Sequence, residues 1–332
     1  MRKMEDKQLF IDGLNTSRWG PREVFEGLSL GGLSAINATI AIWDDFNSTM
    51  DKISMWYELF DTHSDLILQV KGTTDIKEAF NSDRCGIVFG WQNATPIGND
   101  LRRLRLFHDL GVKIIQITYN ERNLLGNGCY ELHDDGLSKF GQSAVREMND
   151  IGILIDLSHV GDRTTLDTIE ISEAPVAITH SNARSIDNHP RNKTDETIKL
   201  LAEKGGIIGS NGFPMFFPNG FKSTLNDYLD RIEYLLQLVG PDHVAIGSDL
   251  CEQQPRSWFR WLFSSQGTIP PVKVEETPEP YAHLHGFSSA REFGNLSRGL
   301  LDRGYSEQDI RKIMGENWMN LFRQVWEGYS HK

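Results

Sequence analysis

Short apolar, β-branched runs recur along the chain and alternate with longer segments whose apolar residues return every three or four positions. The runs are Leu9–Asp12, Leu33–Trp43, Cys85–Trp91, Val112–Thr118, Gly152–Leu157, Pro175–Thr179, Gly205–Gly209 and His243–Gly247. Most are apolar on both faces, as strands covered on both sides must be. Between most of them lie helical-period segments over Lys52–Val70, Asn99–Leu110, Ser138–Ile151, Arg163–Ile171, Asp195–Lys204 and Thr224–Val239. Ser138 and Thr194 stand where a helix N-cap belongs, with a side-chain oxygen to satisfy the first free backbone N–H groups. Eight buried strands alternating with helices over about 250 residues predict a (β/α)8 barrel. A doubly wound open sheet is the alternative, but no GxGxxG stands at a first strand-to-helix turn.

The pattern changes after the eighth run. Residues 251–286 carry Pro255, Pro270, Pro271, Pro278 and Pro280 among Trp258, Phe259, Trp261, Phe263 and Tyr281, with no clear helical or strand period. A long loop of this composition is expected to cover something, as a lid or as a subunit contact, which makes a homodimer reasonable. Residues 287–329 read as two closing helices, the second opened by Ser306-Glu307-Gln308-Asp309. No repeat or linker interrupts the pattern, so residues 1–332 are read as one barrel domain.

Composition narrows the classes of partner. Lys and Arg number 34 against 46 Asp and Glu, a formal charge of −12 with no basic cluster, so nucleic acid is not an expected partner. No run reaches the ~18 to 20 apolar residues of a membrane span. The opening Met1–Lys7 lacks the apolar core of a secretion signal, and a soluble, cytoplasmic protein without a membrane partner is expected. Cys85, Cys129 and Cys251 are odd in number and far apart, which suits a reducing compartment and fits no disulfide framework.

In a barrel of this kind chemistry sits at the C-terminal ends of the strands. Those ends are Asn15 and Thr16, Asp44 and Asp45, Gln92 and Asn93, Tyr119 and Asn120, His159, His180, Asn211 and Asp249. His159 and His180 lie one βα repeat apart, so both imidazoles reach the same rim, where neutral rings are natural ligands for Zn2+ or Fe2+. The alternative for each is a hydrogen-bonded loop residue.

Several stretches in order are familiar: Ile11-Asp-Gly-Leu-Asn15, Asp135-Gly-Leu-Ser138 with Phe140-Gly141, Asp156-Leu-Ser-His-Val160, Thr179-His-Ser-Asn-Ala-Arg-Ser185, Pro190-Arg-Asn192, Ile246-Gly-Ser-Asp249 and Met314-Gly-Glu-Asn-Trp318. Together they resemble the renal, or membrane, dipeptidase family of metallopeptidases, over about residues 9–328. The resemblance implies an amidohydrolase-type (β/α)8 barrel with two zinc ions. It matches the two family histidines to His159 and His180, the residue that holds the substrate carboxylate to Arg191, and the acid near the scissile amide nitrogen to Asp249. The remaining positions depart from it. The His-x-Asp pair after strand 1 falls on Leu14 and Thr16, the bridging glutamate on Gln92, a histidine after strand 4 on Tyr119, and a commonly found second aspartate on Cys251.

Leucine has no lone pair, threonine offers a weak neutral oxygen, and a carboxamide lacks the charge needed to bridge two dications. The expected site therefore holds one divalent ion on His159 and His180, supplemented by Asp249, by Gln92 through its amide oxygen or by water, with zinc ahead of iron and its absence left open. Asp249 would shuttle a proton, Tyr119 would donate to a developing oxyanion and contact substrate, and Arg191 and Asn15 would bind substrate. For Arg191 the alternative is a surface ion pair; for Tyr119 it is packing. Cys251 is read as inert, and His189, His283 and His285 as loop residues. The expected activity is metal-dependent hydrolysis of a small carboxylate-bearing amide or amino-acid derivative. The alternatives are a lyase or iron-dependent oxidative reaction on the same scaffold, or an inactive ligand-binding relative.

Overall fold

The computed structural model describes residues 7–269 and 281–328. Its strands, all parallel, are β1 (Phe10–Asn15), β2 (Leu33–Ala41), β3 (Ile67–Val70), β4 (Cys85–Trp91), β5 (Val112–Gln116), β6 (Leu154–Asp156), β7 (Ala177–Ser181), β8 (Ile207–Asn211) and β9 (Val244–Gly247). Eight of them run round a barrel in the order β1-β2-β4-β5-β6-β7-β8-β9. The seam between β9 and β1 is short: Asp249 N donates to Leu14 O at 3.0 Å and Thr16 N to Leu250 O at 2.8 Å. Asp12 reinforces it, its buried carboxylate accepting from Ser248 N at 2.7 Å and Ser248 Oγ at 2.5 Å.

Around the barrel lie α1 (Arg22–Leu30), α2 (Phe46–Thr62), α3 (Thr73–Asn81), α4 (Arg102–Asp109), α5 (Lys139–Ile151), α6 (Asp162–Ile171), α7 (Asp195–Glu203) and α8 (Leu225–Val239), followed by α9 (Arg256–Leu262), α10 (Gly294–Asp302), α11 (Glu307–Arg311) and α12 (Asn317–Gly328). Two predicted caps are in place, Ser138 Oγ accepting from Gly141 N at 2.9 Å and Thr194 Oγ1 from Thr197 N at 3.2 Å. Among the described residues no helix is long and apolar enough to cross a membrane.

Four elements correct the sequence reading. The helix expected over Lys52–Val70 ends at Thr62, and Ile67–Val70 is a ninth strand lying on the first half of β4, Ile67 opposite Cys85 and Val70 opposite Val88. Its apolar residues suit either period over so few positions. Helices α1 and α3 fill intervals in which no helix had been read. The segment 251–286, expected to be loop, contains α9; its residues 270–280 lie outside the described residues.

The closing helices continue from Glu307 to Gly328 through one π turn at Lys312–Glu316. They plug the bottom of the barrel. Trp318, Phe322 and Trp326 pack against Ile11, Ala35, Val88, Ile114, Leu154, Ala177 and Ala245 from the strands, and Trp318 Nε1 donates to Ile246 O at 2.9 Å. Gly315 permits this approach, since a Cβ there would fall 2.2 Å from Leu9 O. With the bottom filled, the opposite rim is left for chemistry.

Candidate active site

At the C-terminal rim the strands enclose a cup of about 40 Å³ whose walls include Thr16, Gln92, Tyr119, His159, Asp249 and Cys251. Its roof comes from α9. Trp43 Nε1, after β2, donates to Leu262 O at 3.2 Å, and Ser265 Oγ and Gln266 Nε2 donate to Glu121 Oε2, after β5, at 3.0 and 2.8 Å. The aromatic segment that the sequence marks as a cover thus does cover the cup in its described part.

His159 and His180 meet edge to edge, Nε2 to Nε2 at 3.0 Å, and both are buried. Each ring is oriented from its other nitrogen. His159 Nδ1 lies 2.7 Å from Asn120 Oδ1, an acceptor, so this nitrogen carries the proton. His180 Nδ1 lies 2.8 Å from Thr179 Oγ1, whose own proton goes to Asp156 Oδ2 at 2.7 Å. This network assigns the Nδ1–H tautomer to both rings and leaves two Nε2 lone pairs facing each other. Burial, followed by the charge of Arg191, holds both imidazoles well below the usual histidine range, so a proton shared between them is disfavoured. Two lone pairs at that distance repel, and the two rings together are a pair of neutral nitrogen donors that would suit a divalent ion, with their Nδ1–H groups held by fixed acceptors as ligating imidazoles require.

Tyr119 stacks on His159 (ring centroids 4.1 Å apart) and meets Trp43 edge-on at 5.0 Å. Burial raises its phenol well above the ordinary value, so the hydroxyl remains a donor. Asp249 accepts from Asn211 Nδ2 at 3.2 Å; burial pushes its carboxyl up to about 6, against the opposing pull of Arg191. Asn120 and Asp249 both have left-handed backbones (φ 56° each), a conformation that costs non-glycine residues energy and that collects at functional sites. Gln92 Nε2 donates to Thr39 Oγ1 at 3.0 Å, which turns its carboxamide oxygen away as the unspent end.

Other candidates are placed differently from the sequence expectation. Asn15 is spent locally: its amide donates to Asp12 Oδ2 at 3.3 Å and its oxygen accepts from Ser17 N at 3.1 Å, and it does not line the cup. Arg191 is buried, no surface ion pair, and also does not line the cup. Its Nη1 donates to Ser158 O at 2.5 Å and its Nη2 to His180 O at 2.9 Å, which ties together the loops bearing the two histidines, while Nε has no partner among the described residues. Phe216, a cup wall, lies over the guanidinium at 5.5 Å.

The positions that depart from the family pattern form a closed neutral set. Leu14 is buried, and Thr16 Oγ1 meets Cys251 Sγ at 2.9 Å. Burial raises the Cys251 thiol well above its ordinary value, so no thiolate is on offer. His283, read as a loop residue, accepts from Cys251 N at 3.1 Å and props the strand-end turn. Among the described residues no group of three or more His, Cys, Asp or Glu converges on one point. The facing imidazoles are the neutral nitrogen donors this site offers a divalent ion, Gln92 lines the same cup as His159, and Leu14, Thr16 and Cys251 supply no charged donor beside them. Sequence reasoning named Asn120 as a strand end and quoted the motifs that Asp156 and Thr179 open, but missed that these three groups orient the imidazoles.

The model of the membrane dipeptidase family (peptidase family M19) matches residues 20–258. An amidohydrolase of Pseudomonas aeruginosa of known structure is 39% identical, with a TM-score of 0.92 over 96% of this chain and 97% of its own. The probable dipeptidase PvdM of the same organism shares the fold at 20% identity, with a TM-score of 0.81 over 97% of this chain and 96% of its own. Dipeptidase tcpJ of Claviceps purpurea is 28% identical over 281 residues, which are 83% of this chain and 60% of that protein, so the chain spans about three fifths of this relative's length. A nearly closed eight-stranded barrel, the matched family model and the paired strand-end histidines agree: the chain belongs to the membrane dipeptidase family, a family of metallopeptidases.

Proposed function

We propose that this chain is a hydrolase of small carboxylate-bearing amides that works with one divalent ion, zinc before iron, held by His159 and His180 with the Gln92 carboxamide oxygen. The observation that carries this reading is the pair of facing Nε2 atoms 3.0 Å apart, each with its Nδ1 tied to a fixed acceptor. A divalent ion there supplies Lewis-acid activation of water or of the amide carbonyl. The protein's own groups do the rest. Tyr119 donates its hydroxyl to the carbonyl oxygen as negative charge develops on it. Asp249, with its carboxyl pushed up to about 6, holds and returns a proton at the amide nitrogen. Arg191 fixes the two histidine loops through Ser158 O and His180 O, and its partnerless Nε is the buried donor left for a substrate carboxylate once Phe216 swings aside.

Elemental analysis of protein purified without chelator, together with turnover of a dipeptide panel, tests this. The expected result is one equivalent of metal, lost in His159→Ala and His180→Ala along with hydrolysis. Two equivalents would contradict the neutral reading of Leu14, Thr16 and Gln92. None, with no hydrolysis after zinc is added, would favour a ligand-binding relative without hydrolytic activity.

A further inference from the structure

Beside the cup lies a second cavity of about 430 Å³, roughly ten times the cup's 40 Å³. The disproportion matters, because ~10 to 15 Å³ of such space holds one water, so the cup has room for a reacting group of a few heavy atoms. The larger cavity falls in the ~300 to 1,000 Å³ range of small-molecule sites. The two share walls: Thr16 and Trp258 line both. They are also linked by hydrogen bonds, since Gln254, a wall of the larger cavity, donates to Thr16 O at 2.7 Å, and Gln92 of the cup donates to Thr39 of the larger cavity at 3.0 Å.

The lining identifies the ligand chemistry. Trp19, Trp56, Trp258, Trp261, Ile42 and Met55 make it aromatic and apolar. Its one carboxylate, Asp44, is buried and neutralised by Lys52 at 2.8 Å, and the Lys52 ammonium sits 5.4 Å from the Trp261 ring. Arg18 on the rim makes no side-chain ion pair among the described residues, so the cavity's balance is positive. Such a site accepts an aromatic or long apolar group that is neutral or anionic and disfavours a cationic one.

We propose that this cavity is a specificity subsite that takes a bulky aromatic or apolar substituent of the substrate while the reacting amide sits in the cup. It lies against Thr16, one of the positions where the family resemblance puts a ligand of the second ion, so organic bulk here approaches a wall that carries no charge. The inference rests on the hydrolytic reading above, and the test separates the two.

Met55 stands on α2, is 39% exposed and lines only the larger cavity, so Met55→Trp adds bulk there from the surface side. Two measurements are made on native protein and on this variant: kcat/KM for Trp-Ala and Ala-Trp relative to Ala-Ala, and the affinity for the anionic aromatic probe 1-anilinonaphthalene-8-sulfonate. Native protein is expected to favour one of the Trp-bearing dipeptides by ~10-fold or more, the variant to lose most of that preference, and probe affinity to fall ~10-fold with it. An unchanged preference ratio, or equal probe affinity in both proteins, would overturn the subsite. If no dipeptide is hydrolysed by either protein the hydrolytic reading fails, and the probe alone decides: weaker binding by the variant supports the subsite and equal binding refutes it.

Discussion

Asp249 is the cup residue whose charge changes in the neutral range, and its environment fixes the sign of the effect. Its carboxyl is pushed from 3.8 up to about 6 by burial, so the fold prefers the protonated form. The stability this form contributes is complete below about pH 4 and is lost as pH rises through about 6. Asp249→Asn cannot ionise and is expected to be more stable than native protein by on the order of 2 kcal/mol at pH 8, with no difference near pH 4. Denaturant unfolding of both proteins at the two pH values measures this. Asp249, His159, His180, Tyr119 and Gln92 were legible in the sequence because hydrophobic periodicity finds strand ends, and strand ends are where a barrel keeps its chemistry. Periodicity says nothing of where a side chain spends its hydrogen bonds. Asn15 therefore read as a substrate contact although Asp12 and Ser17 consume its amide. Likewise Asn120 stood only as a strand end and Thr179 only as part of a motif, because their role depends on which nitrogen of each imidazole turns toward them.

At the level of elements, the strands of the barrel were legible as buried β-branched runs, whereas β3 was not. Ile67–Val70 is too short to show a period of its own and follows a real helix closely enough to be absorbed into it. Helix α9 was hidden for a related reason, as seven residues crowded with aromatics and preceded by proline carry little periodic signal. Packing between elements was equally silent. A Cβ on Gly209 of β8 would fall 2.0 Å from Thr179 O of β7, and one on Gly247 of β9 would fall 1.8 Å from the same oxygen. The strands beside the histidine loops are therefore set at a distance only glycine allows. Gly247→Ala should cost about 3 kcal/mol in equilibrium unfolding, because the obstacle is main chain and cannot rotate away. A cost within experimental error of zero would mean that β7 and β9 are not held as close as described.

On the scale of the whole molecule the barrel has a filled end and a working end, and the two should fail separately. Trp318→Ala removes the more deeply buried of the two plug tryptophans and its bond to Ile246 O, and is expected to cost about 3 to 5 kcal/mol. Metal content at 25 °C, measured on the folded fraction, should stay at the native value, since the imidazoles lie at the opposite rim. Loss of metal together with stability would show that the two ends are coupled. The ring itself is sealed by Asp12 reaching Ser248 across 236 residues. During synthesis that partner emerges from the ribosome long after Asp12 does, and until then the leading strand has one unpaired margin. A chain cut before residue 248 would lack the partner that closes the ring, which leaves β1 with a bare hydrogen-bonding edge open to pairing with another molecule.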